Sequence, residues 1–279
     1  MGGGGGVYWK HMKHERGVPM KKLFGILLAT LLLFGVACAA EPVDLSTYTD
    51  AELDALRIQV AEEIRARAMA KAPENPAADF RYVSNGTEVR INSWIGEGMD
   101  VYIPDEIDGV PVTQIGSQAF ANSKITSLRL PDGLVSVGLY AFNETRKMNC
   151  VVILPPTVET IEQSAFYFCG LTGLVVQSDC TLGVNTFSGT TSLKFLYIRE
   201  GSNVSLDSRA FCVSGLEAAV VPDTVQFLDT DVFASSKNVT VYCPAGSYAE
   251  QYCKENFIVC DTANYGTMVA YYEALYPAE

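Results

Sequence analysis

Few residues of this 279-residue chain are suited to acid–base or nucleophilic chemistry, and the histidines are the most informative of them. Both, His11 and His14, precede an apolar run from Leu23 to Ala37 that has the layout of an export signal. If that signal is removed, no histidine remains. A Ser-His-Asp or Cys-His apparatus, a His-ligated zinc and a histidine general base are then excluded.

Carboxylates are the remaining candidates for general acid–base work. Asp229 and Asp231 stand close together in FLDTDVF, and three further acids stand in PDEIDG, residues 104–109. Aspartate is also favoured in turns and at helix starts, which explains both groups without catalysis. The acids of PDEIDG, taken with Asp100, lack the spacing of a calcium-binding loop. We therefore predict that the protein is not an enzyme and has no catalytic residue, metal or cofactor.

The number and spacing of the cysteines are not typical of a disulfide framework. Their number after residue 40 is odd, their spacing is scattered, and no CxxC pair is present for zinc or redox chemistry. Small buried apolar residues are the simplest interpretation. One local pair, Cys253 with Cys243 or Cys260, remains open to oxidation outside the cell. The seven residues are Cys150, Cys169, Cys180, Cys212, Cys243, Cys253 and Cys260.

The charge distribution excludes one class of partner. The formal net charge is −12, and residues 41–279 carry 15 basic and 31 acidic side chains. A body this acidic repels phosphate groups, so we predict that it binds neither nucleic acid nor an anionic membrane surface.

Residues 20–40, MKKLFGILLATLLLFGVACAA, have the charged start, apolar run and small-residue end of a secretory signal peptide. The run is short for a retained membrane span, and residues 1–19 read as an upstream extension. The alternative is a lipoprotein, because GVAC resembles a bacterial lipobox in which Cys38 would be lipidated, although Gly35 stands where leucine is usual. The sequence thus predicts a secreted or cell-surface protein that reaches a membrane only through such an anchor.

A phenylalanine recurs every 21 to 24 residues, each preceded five positions earlier by an aliphatic residue. Between these positions lie short segments of alternating polarity, most of which end in proline, and alternation with period two predicts strands. One such unit cannot bury its own apolar face, so the units must stack. The six phenylalanines are Phe120, Phe142, Phe166, Phe187, Phe211 and Phe233.

The segments IGSQAF, VGLYAF and IEQSAFYFCGLTGLVV resemble the BspA-like leucine-rich repeats of bacterial surface proteins. The resemblance covers about residues 80–260, including VYIPDEIDGVPVTQIG at the start and VYCPAGSYAEQYCKEN at the end. It implies an α/β fold, a leucine-rich-repeat solenoid with one parallel β-sheet and short helical turns. Some members of that family bind host matrix proteins or mediate adhesion between cells, but the resemblance transfers no binding residue.

The flanks of the repeats carry different patterns. Residues 49–71 have a capping-box spacing and apolar residues toward one face, which predicts a helix that caps the solenoid or acts as a spacer; partner binding is the alternative. We divide the mature chain into a helix and linker (41–78), a solenoid (79–260) and a C-terminal tail (261–279). The tail is expected to be a short amphipathic helix on the last coil or a mobile adhesive segment.

If the strands stack in register, their outward side chains form columns about 4.8 Å apart. Val151, Ile153, Phe195 and Tyr197 would then form an exposed apolar patch of the kind found at binding sites. The alternative is that these residues are ordinary strand formers. The predicted ligand-binding face comprises Tyr102, Arg129, Val151, Ile153, Phe195, Tyr197 and Tyr242.

Together these patterns predict a secreted or surface-attached, non-catalytic binding protein. Its partner would be a protein or glycan ligand of host or neighbouring cells, held by the repeat sheet face. A structural module of the cell envelope without such a ligand is the alternative, and a carboxylate-dependent enzyme is the weaker one. The oligomeric state is left open.

Overall fold

The computed structural model describes residues 73–277. The signal peptide, Cys38 and the helix predicted over residues 49–71 lie outside the described residues. Within them, no helix has both the length and the apolar character needed to cross a membrane.

The described residues form a succession of sixteen short strands, followed by a helix, a last strand and a second helix. A 3-10 helix, Ala77–Asp79, precedes them. The helices are α1 (Tyr248–Asn256) and α2 (Tyr265–Leu275). The strands are β1 (Phe80–Ser84), β2 (Val89–Trp94), β3 (Asp100–Tyr102), β4 (Glu106–Ile107), β5 (Val110–Ile115), β6 (Ser127–Arg129), β7 (Ser136–Val137), β8 (Val151–Leu154), β9 (Thr160–Ile161), β10 (Gly173–Val176), β11 (Thr181–Leu182), β12 (Phe195–Ile198), β13 (Ser205–Leu206), β14 (Ala218–Val220), β15 (Phe227–Leu228), β16 (Thr240–Tyr242) and β17 (Val259–Asp261).

The strands stack coil upon coil into a solenoid, as the repeat predicts. A six-stranded parallel sheet runs in the order β17-β16-β14-β12-β10-β8, and β3 pairs with β6 in a separate two-stranded sheet. The nine-stranded sheet runs β1-β2-β5-β7-β9-β11-β13-β15, with β4 also paired to β5. Each regular coil therefore contributes to two parallel sheets rather than to one. The second sheet arises because the aliphatic residue before each Phe also pairs with its counterpart in the next coil.

The segments around the repeated Phe residues are turns, not the short helical turns predicted. In most coils the residue two positions before the Phe and the residue two positions after it have positive φ, as at Gln118 (58°) and Asn122 (58°) around Phe120. Such left-handed residues interrupt a right-handed helix. The Phe backbone N–H is thereby turned toward the next coil, where that of Phe142 donates to the carbonyl oxygen of Ala165 at 2.7 Å.

The core contains a continuous stack of the six repeated Phe rings, here called the Phe ladder. Adjacent rings lie 4.8–5.9 Å apart between centroids, with interplanar angles of 5–21°. All six side chains are buried, as are the aliphatic residues five positions before them. This confirms that the recurring residues fill one inward position of successive coils.

Aromatic residues close both ends of the Phe ladder. Trp94 stacks on Phe120 at a centroid distance of 6.3 Å, and Tyr252 of α1 meets Phe233 edge-on at 6.3 Å. Helix α1 begins at an N-cap, Ser247, whose hydroxyl accepts from the backbone N–H of Glu250. The last coil is thus covered by α1, so its core face does not meet water.

Candidate functional site: the sheet face and its covering helix

The register of the strands places the predicted face residues in columns. Tyr102 is paired with Arg129 across the two-stranded sheet. In the six-stranded sheet, one column runs Ile153, Val175, Tyr197, Val220, Tyr242. A parallel column, two residues earlier on each strand, contains Val151, Gly173 and Phe195. The seven predicted residues therefore lie on two sheets and not on one continuous surface.

Helix α2 covers most of the Tyr197 column. Four sheet residues and three helix residues are buried there, outside the main core. The expectation that Tyr197 belongs to an exposed patch is therefore wrong, because its side chain is 0% exposed. Tyr242 is likewise buried. The buried cluster between sheet and helix, here called the α2 interface, comprises Val175, Tyr197, Val220, Tyr242, Met268, Val269 and Tyr272.

Ring contacts hold α2 on the sheet. The Tyr272 ring lies 5.2 Å from the Tyr197 ring and 4.9 Å from the Phe195 ring, between centroids. The Tyr276 ring adds a stacked contact with Phe195 at 5.8 Å. Pairs of this kind contribute about 0.5–1.5 kcal/mol each beyond the burial of their area. The tail is thus a helix packed on the sheet face, against Phe195 and Tyr197. The expected position of such a helix was the last coil.

Polar contacts fix both ends of α2 to the segment that follows β12. Tyr265 donates its hydroxyl to Glu200 Oε1 at 3.0 Å, and Arg199 Nη2 donates to the carbonyl oxygen of Tyr276 at 2.6 Å. Within the interface, the Tyr197 hydroxyl is buried and has no hydrogen-bond partner among the described residues.

A smaller part of the face stays accessible. Ile153 is 40% exposed, Val151 and Phe195 are partly exposed, and we call these three residues the open patch. The outer edge of the Phe195 ring lies over Gly173, where a Cβ atom would stand 2.3 Å from the ring. Glycine at this position therefore lets the ring reach across β10 toward β8. Among the predicted face residues of the six-stranded sheet, these three are able to meet a partner without movement of α2.

Arg129 differs from the expected free contact residue. Its guanidinium Nη2 lies 3.1 Å from Glu74 Oε1 and 3.4 Å from Asp105 Oδ2, and the side chain is partly buried. Beside it, the backbone N–H of Tyr102 donates to Asn75 Oδ1 at 2.7 Å. These contacts join the segment before β1 to the first coils, which is a structural role. Ligand binding by Tyr102 and Arg129 stays a prediction.

The carboxylates considered for catalysis have structural partners. Partial burial acts to raise the pKa of Asp231, but hydrogen bonds from Ser208 and Arg209 outweigh it and lower the pKa below its usual value. Asp105 accepts from the backbone N–H of Asp132 at 2.9 Å. Neither residue lines the open groove of about 780 Å³ that runs beside Glu159, Asp179 and Glu200. Within residues 73–277, no group of three or more metal-ligating side chains is placed to hold an ion.

The covering helix could have been found from the sequence by its spacing. Met268, Val269, Tyr272 and Tyr276 fall at i, i+1, i+4 and i+8, which is one face of a helix. The sequence pattern does not predict that this face packs on β12 and β14. That position depends on the path of the chain after β17.

Alkaline pH is expected to release α2. Burial raises the pKa of Tyr197 to about 12, and it raises the pKa of Tyr272 and Tyr242 as well. An exposed tyrosine ionises near about pH 10, so this stabilisation is complete below about pH 10 and is lost as the pH rises toward the folded-state values. Tyrosinate absorbance and near-ultraviolet circular dichroism should therefore change together between about pH 10 and pH 12. Ionisation of all tyrosines in one step at the ordinary pKa would contradict this.

Comparison with known proteins agrees with this geometry. Residues 113–240 match the family described as "BspA type Leucine rich repeat region", in six copies. No curated protein matches the chain. Among solved structures, the pneumococcal vaccine antigen PcpA is similar with a TM-score of 0.50 and 22% identity, over 66% of this chain and 48% of that one.

Two further solved structures are similar at lower scores. A leucine-rich repeat protein of T. pallidum has a TM-score of 0.46 and 21% identity, over 61% of this chain and 81% of its own. A leucine-rich cell surface protein of Faecalibacterium prausnitzii has a TM-score of 0.44 and 20% identity, over 63% of this chain and 55% of its own. The chain spans about half the length of the pneumococcal and Faecalibacterium proteins.

Proposed function

Because residues 113–240 of this chain belong to the BspA-type leucine-rich repeat family, we propose that the protein is a non-catalytic binding protein that acts at the cell surface or after secretion. Export is supported by the signal-like residues 20–40. Surface location is supported by the name of a similar structure, a leucine-rich cell surface protein. Its role is adhesion to macromolecules of a host or of neighbouring cells.

The open patch is the observation that carries this proposal. Ile153 and Val151 stand on β8, at the edge of the six-stranded sheet, and the ring of Phe195 on β12 extends toward them over Gly173 of β10. Clustered aliphatic and aromatic side chains on a rigid sheet are typical of protein-binding hot spots. These side chains offer an apolar anchor site and no array of polar groups for sugar hydroxyls. We therefore favour a protein ligand over a glycan.

A matched pair of variants tests the open patch. The purified full chain is applied to an array of extracellular-matrix proteins and glycans, alongside Ile153→Ser and the control Phe227→Ser. Phe227 is 45% exposed on β15 of the nine-stranded sheet, away from the patch. Loss of a buried contact residue at a hot spot costs about 2 kcal/mol or more, so affinity for a protein ligand should fall at least about 30-fold in Ile153→Ser and stay unchanged in Phe227→Ser.

Other outcomes would redirect the proposal. A ligand that both variants bind with equal affinity would remove the open patch from the site. A glycan ligand lost in Ile153→Ser would keep the patch and change the class of partner.

A structural role in the cell envelope is the second candidate, and coverage of the sheet by α2 favours it. Four outward residues of the six-stranded sheet, Val175, Tyr197, Val220 and Tyr242, are used for internal packing. A module of this kind would bind nothing on the array and would tolerate Ile153→Ser without effect. The array therefore separates the two candidates.

A further inference from the structure

Three cysteines meet where the last coil joins its cap. Cys243 directly follows β16, Cys253 lies in α1, and Cys260 lies in β17. The Sγ atoms of Cys243 and Cys260 are 3.1 Å apart. A disulfide bond is about 2.05 Å long, so bond formation requires an approach of about 1 Å. Cys253 also interacts with both of these thiols.

We propose that Cys243 and Cys260 are a disulfide-forming pair that locks the C-terminal cap onto the solenoid. The strands β16 and β17 are already hydrogen-bonded neighbours, with Val241 opposite Cys260. Cys243 directly follows β16, so the two thiols lie at the end of this strand pair. From the sequence, the expected pair is Cys253 with either Cys243 or Cys260. The Sγ distance favours Cys243 with Cys260 instead.

Differences in exposure set the order of the reaction. Cys260 is partly exposed on the edge strand β17, whereas Cys243 and Cys253 are fully buried. Burial raises the pKa of the Cys243 thiol well above its usual value, so this thiol is protonated in the reduced protein. The accessible Cys260 is thus the thiol that meets an external oxidant first, since attack requires access as well as a thiolate.

The oxidant is a small-molecule disulfide, written RSSR. The Cys260 thiol loses its proton to solvent, and the thiolate attacks one sulfur of RSSR, which forms a mixed disulfide and releases one RS⁻. The Cys243 sulfur then attacks Cys260 Sγ as its proton passes to the departing RS⁻, which forms the Cys243–Cys260 bond and breaks the mixed disulfide. Both leaving thiolates take up protons. Two protein thiols are oxidised and RSSR is reduced to two RSH.

The bond would close a loop that contains all of α1. The two cysteines are 17 positions apart in the sequence. Closing a loop of about this length restricts the unfolded chain enough to shift the unfolding equilibrium of the closed segment about a hundredfold toward the folded state. The bond would stabilise the attachment of the cap, because β17 is an edge strand with a paired strand on one side only. Phe257, just before β17, is 97% exposed and adds little packing.

The test uses the full chain, with cystamine as RSSR. After oxidation, free thiols are alkylated and the unreduced protein is digested and mapped by mass spectrometry. We expect a peptide pair joined through Cys243 and Cys260, a higher denaturation midpoint for the cap, and reversal of both by a reducing agent. The control Cys212→Ser, at a partly exposed cysteine of another coil, should give the same linked pair. Cys260→Ala should give no linked pair.

Mapping the wild-type chain keeps the test independent of whether any variant folds. Full alkylation of Cys243 and Cys260 after cystamine treatment would overturn the proposal. A crosslink between Cys253 and Cys260 in the wild-type chain would also overturn the proposal. The reactive pair would then join α1 to β17, and Cys243 would not take part.

Discussion

Replacing Phe166 by alanine is expected to lower the free energy of unfolding by about 3–5 kcal/mol. Phe166 is fully buried in the middle of the Phe ladder, with neighbouring ring centroids at 4.8 Å and 5.1 Å. Its removal deletes two stacking contacts and leaves a cavity that neighbouring coils cannot close, because backbone hydrogen bonds hold their spacing. Denaturant unfolding of the purified protein measures the change.

Two comparisons make this test specific to the Phe ladder. Phe227→Ala removes a ring that is 45% exposed and should cost much less. Phe233→Ala should fall between the two, because its contacts are longer, at 5.9 Å to Phe211 and 6.3 Å to Tyr252. Equal losses for Phe166→Ala and Phe227→Ala would mean that the ladder does not stabilise the solenoid as its geometry indicates.

Replacing Tyr272 by alanine is expected to detach α2 while the solenoid stays folded. Tyr272 contacts both Phe195 and Tyr197, and truncation of a buried aromatic side chain costs about 3–5 kcal/mol. The apolar anchoring that remains comes from Met268 and Val269 and from the contact of the Tyr276 ring with Phe195, and Tyr272 is the residue that contacts two sheet rings. Amide exchange in residues 265–275 should become fast, and binding of a hydrophobic dye should increase as the face is exposed.

The matched control is Tyr248→Ala, at a tyrosine of α1 that is 38% exposed. It should leave exchange in α2 and dye binding unchanged. Protection of residues 265–275 in Tyr272→Ala at the level of the unmodified chain would show that the helix is held by its polar ends, through Glu200 and Arg199, and not by the rings.

Detachment of α2 also bears on the proposed function. The covered column contains Tyr197 and Tyr242, which the sequence assigns to the ligand-binding face, together with an unsatisfied buried hydroxyl on Tyr197. In the covered state, the open patch is the accessible part of the predicted face on the six-stranded sheet. Comparing Ile153→Ser with Tyr272→Ala therefore separates a ligand that uses the open patch from one that needs the aromatic residues under α2.

The sequence by itself determined the solenoid and its core. A Phe and an aliphatic residue at fixed separation in every unit imply stacking, because one unit cannot bury them alone. Alternating polarity also identified the strands, and equal spacing identified the columns that Ile153, Val175 and Tyr197 share. These features are local and repeated, so each copy reinforces the same interpretation.

Only the tertiary structure decided which part of the sheet face is accessible and which cysteines meet. Helix α2 reaches Phe195 and Tyr197 from about 75 positions further along the chain, and no local pattern encodes where such a segment returns. The Sγ contact of Cys243 with Cys260 likewise depends on β17 adding to the edge of the six-stranded sheet. Whether a side chain is buried and which cysteine it meets depend on segments far away in the sequence. The residue type and its local pattern do not determine them.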